Sequence, residues 1–243
     1  MFKDKKTIIF DVDGTLVDSI GMWNDVDKEL VIRGGGIPRD TIGEERDTYL
    51  AENTTGDIYM GYVDYLRESY NLNLTVEELN YLRNTISLEY LKNHIDLKPG
   101  VDLLLKTLKE RGYTLVLATI GSRWVVDIYL NENKNILEKV DLKQIFENNI
   151  LTKDNVHSKK PNPEIYLKAM EITNSKPEEC LVIEDSLSGV QAAKNAGIDV
   201  VCIYDKYSNV DRVEIERISD YNVSNFSELS NQLSNSKQIR KVV

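Results

Sequence analysis

Asp11 and Asp13 stand in the string Asp11-Val-Asp-Gly-Thr15, directly after the apolar run Thr7-Ile-Ile-Phe10. Other groups capable of chemistry sit in comparable places. Thr119 follows Tyr113-Thr-Leu-Val-Leu-Ala118, Glu184-Asp185 follows Leu181-Val-Ile183, and Lys160 precedes Pro161-Asn-Pro163. Brought together, these are a carboxylate cluster, a hydroxyl and one ammonium. Crowded carboxylates cannot all stay ionised without a cation among them. A hard divalent ion meets that need, and magnesium suits sparse carboxylate sites that keep waters and bind phosphate. A single Asp before Gly would be read as a strand-ending turn; the five-residue string is harder to explain that way. A calcium loop is excluded, because Thr15, Leu16 and Met22 occupy the fifth, sixth and twelfth positions, where Asp or Asn, Gly and Glu are required.

The elements that must position these groups follow from patterning. Thr7–Phe10, Tyr113–Ala118, Leu181–Ile183 and Asp199–Tyr204 are aliphatic, largely β-branched runs that read as buried strands, with a further strand expected near Phe146–Leu151. Helices are expected between them. Val101, Leu104, Leu105 and Leu108 form one face closed by Gly112, another helix starts near Ser122, a third opens at Asn162-Pro163-Glu164, and a fourth runs Leu187–Ala196 before Gly197. Strands alternating with helices imply an α/β fold, a doubly wound (Rossmann-like) parallel sheet. Ligands of such sheets lie at the carboxyl ends of the strands, where the chemistry-bearing residues fall.

Positions 18–95 differ. They are charged, hold seven of the 13 tyrosines and show apolar residues at helical spacing, as in Ile58, Tyr62 and Leu66. We read them as an inserted α-helical domain, interrupted by Gly34-Gly-Gly-Ile-Pro38, which lacks the Gly-Lys-Ser/Thr of a phosphate-cradling loop. The expected domains are thus residues 1–17 with 96–233, residues 18–95, and a frayed tail over 234–243.

Composition narrows the partners. With 243 residues and a formal net charge of −10, the chain can bury a large core and offers no basic surface for nucleic acid or an anionic membrane. No run approaches the 18 or so apolar residues of a membrane span, and the N-terminus lacks a signal peptide's apolar region, so a soluble cytoplasmic protein is expected. Cys180 and Cys202 read as buried reduced thiols rather than a disulfide or zinc ligands.

Asp11-Val-Asp-Gly-Thr-Leu-Val-Asp-Ser19 resembles the signature of the haloacid dehalogenase-like hydrolases. Leu117-Ala-Thr119, Lys160-Pro-Asn-Pro-Glu-Ile-Tyr166 and Val182-Ile-Glu-Asp-Ser-Leu-Ser-Gly-Val190 resemble the other three motifs, in order. The insertion resembles the helical cap of the β-phosphoglucomutase and phosphoglycolate-phosphatase-like branch. The resemblance implies a magnesium-dependent phosphatase acting on a small phosphorylated metabolite. Asp11 would be the nucleophile that becomes an aspartyl phosphate. Asp13 would be the general acid and then the base, with its backbone carbonyl on the metal. Asp11 and Asp185 would supply carboxylate ligands, with Glu184 behind them, and Thr119 and Lys160 would hold phosphoryl oxygens. Lys160 is preferred to Lys159 because the family lysine directly precedes the proline. A carboxylate about 4 Å from a phosphate dianion meets about 8 kcal/mol of repulsion at an effective dielectric of 20, so local cations are required.

The resemblance also implies a cap that opens and closes on hinges near Val17–Ile20 and Ile95–Pro99. Trp23 and Arg46 fall where related caps contact substrate, although packing explains Trp23 as well and a solvated face explains Arg46. A phosphomutase shares every core residue. Where β-phosphoglucomutases carry His, this chain has Trp23, which favours hydrolysis. A non-enzymatic phosphoacceptor ranks lower, because Asp13 would discharge a lasting phosphoryl mark.

Overall fold

The computed structural model describes residues 1–53, 55 and 57–235. Its chain divides into two compact units, Met1–Ser19 with the chain from Ile95 onward, and Ile20–His94. In the first unit six strands form one sheet: β1 (Thr7–Phe10), β2 (Thr114–Ala118), β3 (Ile150–Leu151), β4 (Cys180–Glu184), β5 (Asp199–Ile203) and β6 (Tyr221–Val223). Their order is β3-β2-β1-β4-β5-β6, and every pair is parallel.

The chain first builds outward from β1 through β2 to β3, then returns to the far side of β1 with β4. That reversal opens a crevice at the carboxyl ends of β1, β2 and β4, the place where open α/β sheets bind ligands. Register makes it level: Phe10 pairs with Leu117 on one side and Ile183 on the other. The residues that follow each strand therefore emerge side by side. Ile8, Ile9, Phe10, Val116, Leu181 and Val182 are fully or almost fully buried, as expected of a sheet covered on both faces.

The helical unit holds α1 (Met22–Arg33), α2 (Ile42–Glu52), α3 (Ile58–Ser69) and α4 (Val76–Asn93). Thr75 and Glu78 form a reciprocal capping box that starts α4, satisfying two N–H groups that a helix start would otherwise orphan. The sheet is covered by α5 (Val101–Glu110), α6 (Arg123–Asn131), α7 (Lys134–Lys139), α8 (Leu142–Phe146), α9 (Glu164–Thr173), α10 (Leu187–Asn195), α11 (Arg212–Ile218) and α12 (Phe226–Asn235). Among the described residues no helix is long and apolar enough to cross a membrane.

Three local readings differ from expectation. Phe146 ends a helix rather than starting a strand, because the Asp141 side chain accepts the Gln144 N–H and caps α8; only Ile150–Leu151 pairs with β2. The edge strand β6 was not anticipated, since the exposed Asn222 at its centre gives it no apolar run. Ser234 belongs to α12, whose buried Leu229 and Leu233 hold it in place, and residues 236–243 of the expected tail lie outside the described residues.

Leu16–Asp18 and Asp96–Lys98 pair with each other. Asp18 donates to the Asp96 carbonyl at 3.0 Å and Lys98 to the Leu16 carbonyl at 2.9 Å. Bending at these four residues would break main-chain hydrogen bonds.

Candidate active site

Asp11 leaves the end of β1 with its N–H donated to the Ile183 carbonyl at 3.0 Å, so the strand ladder aims its side chain. Lys160 meets it. The ammonium donates to Asp11 Oδ1 at 2.6 Å, to Glu184 Oε1 at 2.7 Å and to the Ala118 carbonyl at 3.2 Å. Its side chain is 2% exposed, whereas neighbouring Lys159 is exposed. Asp11, Glu184 and Asp185 each offer a carboxylate oxygen within 4.8 Å of the others, all buried. Two of the three acids, Asp11 and Glu184, thus share the Lys160 ammonium.

The three acids are not equivalent. Glu184 is saturated: Lys160 and the Tyr166 hydroxyl donate to Oε1, while the N–H groups of Asp185 and Ser186 and the Ser186 hydroxyl donate to Oε2. Burial alone would raise its carboxyl, but Lys160 and these donors outweigh it and hold it below the usual range. Asp185 accepts the Thr15 hydroxyl at 2.7 Å on Oδ1 and only a long 3.5 Å contact from Ser208 on Oδ2. Burial, with the Glu184 charge beside it, pushes Asp185 up to about 7. Asp11 accepts nothing on Oδ2 among the described residues, and burial raises it well above the carboxylate range despite Lys160. The oxygens left for a cation therefore belong to Asp11 and Asp185.

Glu184 fits only because Gly189, in the first turn of α10, has no side chain. A Cβ there would stand 1.7 Å from Glu184 Oε1. Gly189 sits inside a motif quoted from the sequence without being read as a site residue; a glycine inside a helical pattern was the available signal.

The Asp13 carboxylate lies outside the acid triad. Its Oδ1 accepts the Ser19 hydroxyl at 2.6 Å and the Tyr129 hydroxyl at 3.2 Å. Burial raises its carboxyl, and those two donors oppose the shift without cancelling it. Thr119 is buried past β2 and accepts the Gly121 N–H on Oγ1 at 2.9 Å. A Cβ at Gly121 would meet both Asp13 Oδ2 and Thr119 Oγ1 at 3.2 Å, so the missing side chain keeps a space open against these two oxygens. Neither Gly121 nor Tyr129 was read from the sequence as a site residue.

Trp23 and Arg46 belong to the helical unit. The Arg83 guanidinium covers the Trp23 ring at 4.7 Å. Arg46 is not on a solvated face: it donates to Asp27 at 3.4 Å and to Asp47 at 3.2 and 3.3 Å, with a side chain 13% exposed. Cys180 and Cys202 are free and buried, and burial raises both thiols, to about 11 and about 12.

The sequence model of the haloacid dehalogenase-like hydrolases matches residues 5–197. The chain belongs to that family. It is 31% identical over 194 residues to a phosphorylated carbohydrates phosphatase of Thermotoga maritima, covering 80% of this chain and 82% of the relative. It is 30% identical over 234 residues to a glyceraldehyde 3-phosphate phosphatase of Pyrococcus furiosus, covering 92% and 91%. Among solved structures, a haloacid dehalogenase family hydrolase from Deinococcus radiodurans with bound phosphate and sodium shares the fold. That match has a TM-score of 0.72 at 20% identity and covers 98% and 99% of the two chains. This haloacid dehalogenase-like hydrolase is therefore an enzyme whose α/β sheet is the family's own.

Proposed function

We propose that the protein is a magnesium-dependent phosphatase that cleaves phosphate monoesters of small metabolites through an aspartyl phosphate on Asp11. The observation that carries this reading is the charge imbalance at the end of β1: three buried acids gathered around Lys160, with no donor on Asp11 Oδ2 among the described residues and only a long 3.5 Å contact on Asp185 Oδ2. Such a donor set suits a hard dication. Asp11, Asp185 and the main-chain carbonyl of Asp13 would hold it, and when bound it supplies positive charge to the phosphoryl oxygens.

The chain's own residues then divide the work. Lys160 and Thr119 bind and orient the phosphoryl group, and Lys160 keeps its position because Glu184, fixed by four other donors, anchors it. An Asp11 oxygen forms a bond to phosphorus as the ester P–O bond breaks. The leaving oxygen takes a proton from Asp13, which becomes a carboxylate. Asp13 then removes a proton from water, whose oxygen attacks phosphorus, releasing inorganic phosphate and restoring Asp11. The raised carboxyl of Asp13 favours the protonated form that the first step needs.

A panel of phosphorylated sugars, trioses and phosphoglycolate, assayed for inorganic phosphate, tests the reading. Release that requires magnesium and stops on chelation is expected. No release from any ester, or release indifferent to chelation, would overturn it.

A further inference from the structure

Tyr129 is absent from the four motifs that mark the family in this sequence, yet its hydroxyl reaches the acid assigned to proton transfer. It lies on α6, two turns after the Thr119–Ser122 segment, and is 2% exposed. Aliphatic neighbours on the same helix, Val126, Ile128 and Leu130, are also buried, so packing alone would be served by Leu or Phe. A buried phenol instead needs polar partners, and here its hydroxyl donates to Asp13 Oδ1 and also meets the Ser19 side chain. Ser19, six residues after Asp13, donates to that same oxygen. Both donors therefore converge on Oδ1, while Oδ2 and Thr119 Oγ1 each border the space that Gly121 leaves open.

We propose that Tyr129 is a positioning residue that pins Asp13 Oδ1, so that Oδ2 is the oxygen that passes the proton to the leaving group. A carboxyl group on a single Cβ can rotate. With both donors on one oxygen the rotation is stopped, and the proton carrier faces the phosphoryl-binding side. One segment thus delivers three parts together: the Thr119 hydroxyl, the bare wall at Gly121 and the phenol that orients Asp13. The inference rests on the assignment of Asp13 as general acid.

Leaving-group dependence tests it, because a general acid matters more for a poor leaving group than for a good one. The probes are phenyl phosphate and p-nitrophenyl phosphate, and the readout is single-turnover release of each phenol by Tyr129→Phe. Release from phenyl phosphate should slow about 10- to 100-fold and from p-nitrophenyl phosphate about threefold or less, with KM little changed. Equal slowing with both esters, or no slowing, overturns the proposal while Asp13→Asn remains inactive toward phenyl phosphate. Should Asp13→Asn keep that activity, the acid assignment falls first and this inference with it. Thermal unfolding checks that the Phe variant is folded. If it is not, Ser19→Ala, which removes the other donor from Oδ1, must give the same unequal slowing or the proposal fails.

Discussion

Each unit of the molecule buries an ionic cluster, and the two are built to opposite ends. In the helical unit Asp27 is fully buried and accepts from Arg83 at 2.8 Å, Tyr62 at 3.1 Å and Arg46 at 3.4 Å. One acid faces two guanidiniums, and Arg46 turns its remaining groups to Asp47. Such a cluster is complete. At the end of β1 the ratio is reversed, with three acids gathered around one ammonium; among the described residues Asp11 Oδ2 accepts nothing and Asp185 Oδ2 only a long 3.5 Å contact. A satisfied cluster holds helices in register, whereas an unbalanced one stores electrostatic strain that a dication and a phosphate can relieve together. Removing a charge should therefore have opposite consequences in the two places.

The largest effect should come from Asp11→Asn, which we expect to reduce phosphate release by at least about 10⁴-fold, because the nucleophile is lost. Its thermal midpoint without metal should match or exceed that of the parent, since one of the mutually repelling acids is gone. A clear drop in that midpoint would erase the contrast between the clusters. Asp27→Asn should instead destabilise by about 3–5 kcal/mol in urea unfolding, because the buried guanidiniums lose their counter-charge.

Gly189→Ala sharpens the comparison at smaller scale. Glu184 must swing away from the new methyl group and loosen Lys160, so stability should fall by about 2 kcal/mol and turnover by about tenfold. Unchanged kinetics would mean that Glu184 does not anchor Lys160. The smallest effect concerns pH. Asp185 is raised from 3.8 to about 7, so between those values the folded protein binds a proton that the unfolded chain has released. Its contribution is complete below about pH 4 and is lost as pH rises through about 7. Metal-free protein should lose about 1–2 kcal/mol more between pH 5.5 and 8 than Asp185→Asn does, measured by urea unfolding with chelator present. Equal pH dependence of the two proteins would count against the strain assigned to this cluster.

Much of the site was legible because its residues end apolar runs. Asp11, Thr119 and Asp185 each follow a strand, and Glu184 ends one, and the apolar composition of these strands identifies them; parallel strands put their ends in one place. Lys160 was legible through its neighbour Pro161 and its resemblance to a family motif. Tyr129 was not, since at helical spacing among Val126, Ile128 and Leu130 a tyrosine reads as core. Gly121 and Gly189 were equally silent, because the role of a missing side chain depends on what stands opposite. The solvated face expected as the plainer reading of Arg46 fails for a related reason: its partner Asp27 lies on a different helix, and no periodicity pairs a charge on α2 with one on α1.

Local sequence alone determined the four central strands, the helices that follow them and which strand ends would carry acids, because hydrophobic period and turn chemistry act over a few residues. Only the folded chain decided how the donors were shared: five to Glu184, two to one oxygen of Asp13, and none to Asp11 Oδ2 among the described residues. Those allocations depend on distances of a few ångströms between side chains as far apart in sequence as Asp11 and Lys160, and electrostatics in a buried site is governed by such distances and not by order along the chain.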